Sequence, residues 1–214
     1  VNRTGVMAGE ITVKQWEDGG STSGSAAGDD IVQNVNISFI DVPGVLQIKT
    51  GSKTAVYDWK EVDGQFKLTL QPASAAIYWD DLNKYDASNE LDKHTFDLTF
   101  TPNAAGTPEK DVLKGSTTIS WGAKLDANSL AHVNAMFIVK LEKGDGFTTE
   151  EFNNATKTTQ LYGFTADAYT ITNNQAIVKP ATLGETHKLV VTIAGYEYVA
   201  QLSNRFEKFQ AGRK

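Results

Sequence analysis

Apolar and polar residues alternate along much of the chain, which is the two-residue period of a β-strand. The alternation is clear in four short segments, at residues 11–13, 35–39, 66–70 and 96–100. Residues 187–194 and 196–202 repeat it on either side of Ala194 and Gly195, which predicts a β-hairpin. Gly, Asn, Asp and Pro separate the segments. The chain is therefore predicted to be all-β, with the short strands of a sandwich or barrel.

One segment departs from this period and predicts a short helix. Glu151 follows Thr148 by three positions, which is the spacing of a capping box, where each side chain bonds the backbone N–H of the other residue. Phe152 and Ala155 supply a short apolar stripe. We therefore expect one or two helical turns over residues 149–155, which connect two strands.

The N-terminal residues are set apart by residues 19–28 (GGSTSGSAAG), which have the composition of a flexible linker. A short strand before such a linker cannot bury its apolar face alone. It must add to a sheet, either its own or a neighbour's. A second boundary is expected near residue 128. Three parts are thus predicted: an N-terminal strand with its linker (1–28), a first β-sandwich (29–127) and a second β-sandwich (128–214).

Charge and composition narrow the classes of partner. The formal net charge is −6, and the 20 Lys and Arg form no basic stripe, so we expect no nucleic-acid partner. The chain has no cysteine, which excludes disulfides, a thiol nucleophile and cysteine-based metal sites. No apolar run is long enough to span a bilayer. Attachment to an outer membrane would need an anchor outside this chain.

The sequence contains no strong catalytic motif, since G-x-S-x-G, P-loop, G-x-G-x-x-G and H-E-x-x-H patterns do not occur. We therefore expect no enzyme activity, no cofactor and no metal. Trp79, Asp80 and Asp81 open the densest acidic stretch and form a candidate ligand loop. Asp80 and Asp81 together with His94 allow a hydrolase hypothesis, and the carboxylates of this stretch allow a calcium site. No regular calcium loop occurs, so a solvated loop is the favoured interpretation.

Aromatic side chains provide the alternative function, which is a carbohydrate-binding surface module. Exposed tryptophans can stack on sugar rings, and the chain has four, Trp16, Trp59, Trp79 and Trp121. Tryptophans in sandwiches more often fill the core or cap its ends. The degree to which these side chains are exposed therefore distinguishes the two interpretations.

Several short motifs follow one another in a characteristic order. They are residues 76–82 (AIYWDDL), 111–115 (DVLKG), 130–141 (LAHVNAMFIVKL), 144–148 (GDGFT), 186–193 (THKLVVTI) and 209–214 (FQAGRK). Together they resemble fimbrillin-like proteins, the type V pilins and related surface lipoproteins of Bacteroidales. The resemblance implies two small, transthyretin-like β-sandwich domains, the second opened by the Leu-x-His segment at Leu130. It also implies a secreted, non-catalytic structural or adhesive protein of the cell surface or fimbria.

The order of the motifs departs from that family at the N-terminus. In relatives, segments similar to residues 1–6 and 11–19 follow the closing region, whereas here they come first. We expect one unit of a tandem or processed chain, which starts with the tail of the unit before it. The resemblance implies β-strand addition to other fimbrillin-type subunits or neighbouring repeats, and a host protein or glycan as a further partner. The residues expected to pack into a groove are Val6, Ile11, Val13 and Trp16. Arg3 and Thr4 form a candidate processing site.

Overall fold

The computed structural model describes residues 9–13, 35–36, 40–78, 82, 93–120 and 128–214. These residues are mostly β and are arranged in several antiparallel sheets, which confirms the prediction of a mostly β protein. The chain divides into two compact units. Unit 1 comprises Val1–Ala104 and Val112–His132, and unit 2 comprises Ala105–Asp111 and Val133–Lys214.

This division differs from the predicted boundaries in two places. The segment Asn128–His132, which was expected to open the second domain, belongs to unit 1, where Leu130 is fully buried. Residues Ala105–Asp111 belong to unit 2 although unit 1 resumes after them. Their backbone bonds explain the second difference, because Glu109 donates its N–H to the carbonyl of Ile177 at 2.9 Å.

Unit 1 contains one sheet of eight described strands. In chain order they are β1 (Gly9–Val13), β2 (Val35–Asn36), β3 (Gly44–Thr50), β4 (Lys53–Val62), β5 (Gln65–Leu70), β6 (Lys93–Pro102), β7 (Leu113–Ser120) and β8 (Asn128–His132). Their order across the sheet is β2-β1-β8-β7-β6-β3-β4-β5, and each neighbouring pair is antiparallel. The N-terminal strand β1 therefore lies inside this sheet, between β2 and β8.

One face of this sheet carries the core of unit 1. Residues of β3 alternate between buried and more exposed, as expected for a strand with one face covered. Phe96, Phe100, Leu46 and Leu130 are among the side chains that this cluster buries completely or almost completely. Because Leu130 lies on β8, the core extends across the sheet as far as the strand that pairs with β1.

Unit 2 contains smaller sheets and the helix. Its elements are β9 (Ala135–Ile138), α1 (Thr149–Asn154), β10 (Lys157–Tyr162), β11 (Tyr169–Thr170), β12 (Gln175–Val178), β13 (Ala181–Thr182), β14 (Lys188–Ile193), β15 (Tyr196–Gln201) and β16 (Lys208–Phe209). The described strands form a four-stranded sheet, β11-β10-β14-β15, and the pairs β12-β9 and β13-β16. The predicted hairpin is confirmed as β14-β15, and Ala194 and Gly195 at its turn both have positive φ, as a type I′ turn requires.

Aromatic rings hold the short strand β16 in place. Phe209 stacks on Phe137 and on Phe164, with 5.5 Å between ring centroids in each pair. Both partners pack against the buried cluster of unit 2, to which Leu161 and Ala176 also belong. Offset aromatic pairs add to the stability from buried area alone, so β16 depends on side-chain packing more than on its two residue pairs with β13.

Helix α1 begins as the sequence predicts. Glu151 donates its N–H to the Thr148 hydroxyl oxygen at 3.2 Å, and Thr148 donates its N–H to the Glu151 carboxylate at 2.8 Å. Both bonds of the capping box are therefore present. The hydrogen bonds from the Thr148 hydroxyl and then from its backbone lower the pKa of Glu151 below its ordinary value.

We expect this cap to weaken in acid. Because the folded-state pKa of Glu151 is depressed, its contribution is present above the unfolded pKa of about 4.3 and is lost as pH falls through the lower, folded value. In an NMR titration, the Thr148 amide resonance should shift with a midpoint below that of an ordinary glutamate. Glu151→Gln is the matched control, since it keeps a side-chain acceptor and cannot titrate. A Thr148 shift that persists in this variant would contradict the assignment.

Candidate strand-pairing site

Strand β1 is paired on both of its edges. On one side Gly9, Glu10 and Ile11 pair with Leu130, Ser129 and Asn128 of β8. On the other side Thr12 and Val13 pair with Asn36 and Val35 of β2. Of the two environments foreseen for an N-terminal strand, its own sheet or a neighbour's, this structure has the first.

Packing of the unit 1 core determines the position of the β8 edge that pairs with β1. On its other side β8 pairs with β7, through Leu113 with His132 and Lys114 with Ala131. Leu130 and Leu113 are both buried in the unit 1 cluster, so the position and register of β8 are determined by packing. Core packing thus presents a fixed row of backbone groups to whichever strand lies beside β8.

The contact of β1 with the sheet is short. It pairs at three positions with β8 and at two with β2, whereas β6 and β7 pair at eight positions, from Lys93 with Ser120 to Phe100 with Leu113. Residues 14–34 separate β1 from β2 and include the Gly/Ser segment. A short strand that precedes a Gly/Ser-rich stretch of sequence has the features of an added strand, which main-chain bonds hold in place.

The predicted pairing residues fall partly within this site. Ile11 and Val13 lie in β1, and Ile11 is at the register position opposite Asn128 of β8. Val6 and Trp16, which were predicted to pack beside them, lie outside the described residues. The candidate processing residues Arg3 and Thr4 also lie outside them.

Most residues of the alternative candidate sites lie outside the described part of the chain. Trp79, Asp80 and Asp81 lie outside it, as do Trp16 and Trp121. Trp59 is described and is only 4% exposed, and its indole N–H donates to the Ile40 carbonyl at 2.8 Å. This tryptophan is therefore a core residue that cannot stack on a sugar.

The residues that the structure describes contain no group of three or more His, Asp or Glu side chains that could hold a metal ion. The contacts of His187 are structural: its Nδ1 accepts the N–H of Gly184 at 3.0 Å, and its ring meets Phe164 edge-on. These bonds shape the loop before β14.

A second edge was not identified from the sequence. Strand β15 is the last strand of its sheet, and most of its residues are exposed, including Tyr196, Tyr198 and Val199. The sequence predicts the hairpin, but an alternating strand looks the same at an edge and at the centre of a sheet. A weak signal was available, because residues 196–201 (YEYVAQ) carry two tyrosines on one face and contain no lysine or proline.

Comparison with protein-family models, with curated proteins and with solved structures finds no match. Among the described residues, no helix is both long enough and apolar enough to cross a membrane.

Proposed function

We propose that this chain is a non-catalytic structural or adhesive protein of the cell surface, of fimbrillin type, whose units join by β-strand addition. The proposal rests on one observation: β1 precedes a Gly/Ser segment and pairs with the edge of β8, whose position is determined by the core of unit 1. Two transthyretin-like β-sandwiches are the architecture proposed for units 1 and 2. The secreted location and the host protein or glycan partner rest on the sequence resemblance.

Strand addition suits this site because the bonds along a β-edge are made by the main chain. A strand from a neighbouring subunit or repeat offers the same N–H and C=O groups to β8 as β1 does. Within one chain, the linker keeps β1 at a high effective concentration, which favours pairing in the same molecule. In an array, the corresponding strand of a neighbouring unit competes with β1 for the edge of β8. The linker then determines which of the two strands reaches that edge.

The proposal is tested by measuring whether a separate peptide can replace β1 at the edge of β8. A protease site placed within residues 19–28 allows the intact protein to fold first and to be cut afterwards. We expect a labelled peptide of residues 1–18 to replace the cut fragment, and its fluorescence anisotropy to rise to saturation. Uncut protein should bind the peptide far more weakly, because the tethered β1 occupies the same edge.

The peptide has two matched controls. A version with Ile11→Pro should fail to bind, because proline lacks the N–H and is poorly tolerated in a strand that has partners on both sides. A version with Glu10→Gln should bind nearly as the original does. Release of the fragment without uptake of the peptide would contradict strand addition at β8. So would unfolding of unit 1 on release, which would make β1 an integral strand.

A further inference from the structure

The outer edge of β15 presents backbone groups with which no described strand pairs. The N–H of Leu202 donates to the His187 carbonyl at 3.0 Å, so even-numbered residues of this strand direct their backbone groups towards β14. The two-residue turn at Ala194 and Gly195 gives the same phase. The intervening residues Glu197, Val199 and Gln201 therefore direct theirs away from the sheet, where no described strand lies beside them.

This edge also has the side chains of an interface. Tyr196 is 69% exposed, Tyr198 is 48% exposed and Val199 is 62% exposed. Tyr198 pairs with Val191 and Tyr196 with Ile193, so the tyrosines share a sheet face with two largely buried residues. Edge strands are commonly protected by lysine, proline or a bulge. Here Glu197 is the one charged residue of the strand, and the pairing with β14 is continuous.

We propose that β15 pairs antiparallel with β15 of a second copy of this chain, around a two-fold axis at Val199. In this register Val199 opposes itself, Glu197 opposes Gln201, and Tyr198 opposes Ala200. All three outward residues exchange main-chain bonds, and the two four-stranded sheets become one. Tyr198 of each copy lies beside Ala200 of the other, which leaves room for its ring. The proposal concerns an edge of unit 2 and does not depend on β1.

Charge complementarity selects this register. Lys188 pairs with Gln201 across β14 and β15, so both residues belong to one row across the sheet. The partner's Glu197 joins that row, opposite Gln201 and two strand spacings, about 9.6 Å, from Lys188. Opposite charges in these rows attract at low ionic strength, where the Debye length is about 30 Å, and are largely screened at physiological salt. A register centred on Tyr198 would place Glu197 opposite Val199 and would lose this pairing.

Gln201 is already fixed in the position that this pairing requires. Its side-chain amide donates to the carbonyls of Gly184 and His187, at 2.9 Å each. These bonds hold the end of β15 against the loop before β14. The strand therefore remains extended up to Gln201 without a partner, and a second copy meets an ordered edge.

A disulfide test is specific because the natural chain has no cysteine. In the proposed register the two Val199 Cα atoms form a hydrogen-bonded pair about 5.5 Å apart, which is within the range that a disulfide bridges. We expect the full chain with Val199→Cys to form a covalent dimer on mild oxidation. Thr158→Cys, at an exposed position of β10, is the matched control and should crosslink far less. Equal crosslinking of the two variants would overturn the proposal.

Sedimentation equilibrium gives the independent measurement. The full chain should pass from its 23.3 kDa monomer to twice that mass as concentration rises. Val199→Lys places two like charges opposite each other and should abolish the dimer, whereas Thr158→Lys should leave it intact. Mixing Val199→Lys with Val199→Glu should restore a mixed dimer, which loss of folding in either variant could not produce. A dimer that survives in Val199→Lys, or a chain that stays monomeric, would overturn the inference.

Discussion

Replacing Leu130 with alanine should lower the free energy of unfolding of unit 1 by about 2–5 kcal/mol, which is the usual cost of truncating a buried leucine. Leu130 is 0% exposed and belongs to the unit 1 core cluster. The variant loses the buried methyl groups and leaves a cavity that the surrounding side chains fill only in part. Since Leu130 lies on β8 opposite Gly9, the same change should also weaken the pairing of β1.

Tryptophan fluorescence during chemical denaturation is the appropriate measurement. Trp59 is buried in the core of unit 1, so its fluorescence reports the unfolding of that unit, and the residue ranges of unit 2 contain no tryptophan. Val199→Ala is the control for loss of an exposed aliphatic side chain, and the unit 1 transition should be unchanged by it. If Leu130→Ala unfolds at the same denaturant concentration as the natural chain, then Leu130 does not support the core and the pairing edge of β8 as described.

Replacing Gly44 with alanine should destabilise unit 1 by about 1–3 kcal/mol or more, because it overfills a packed site. A Cβ atom added at Gly44 would lie 2.6 Å from the Thr101 carbonyl oxygen and closer still to the Phe100 ring. Phe100 is fully buried and Thr101 is held by its pairing with Val45. Neither neighbour can move away without disturbing the contact between β3 and β6.

Far-UV circular dichroism and tryptophan fluorescence during thermal unfolding would measure this effect. Gly144→Ala is the matched control: an added Cβ there meets nothing within 4 Å, and no positive φ favours glycine at that position. That variant should stay within about 0.5 kcal/mol of the natural chain. A similar unfolding temperature for Gly44→Ala and Gly144→Ala would mean that β3 and β6 are not packed as closely as the structure places them.

Sequence patterns predict the local features of the fold. The capping box from Thr148 to Glu151 predicts helix α1 because both of its bonds join residues three positions apart. The turn at Ala194-Gly195 predicts the hairpin β14-β15 for a similar reason. The segments 66–70 and 96–100 lie within β5 and β6, since their two-residue period directly reflects one buried face.

In segment 130–141 the two-residue period does not predict how the strands are divided between the two units. The segment reads as an alternating strand of the second domain, but the structure divides it into β8 of unit 1 and β9 of unit 2. The break falls at Val133 and Asn134, and the Asn134 side chain donates to the Lys110 carbonyl at 2.8 Å. Periodicity is the same on both sides of the break. A partner distant in sequence determines which side belongs to which core.

The amino-acid sequence alone predicts a mostly β chain with a capped helix at Thr149–Asn154, an N-terminal segment set apart by a Gly/Ser run, and no cysteine chemistry. These properties follow from composition and from interactions over two to four residues. The pairing of Gly9 with Leu130 and the position of β15 at the edge of the described strands follow from the folded arrangement and not from local pattern. Strand pairing uses main-chain groups that are the same in nearly every residue, so the choice of partner comes from packing of the whole core.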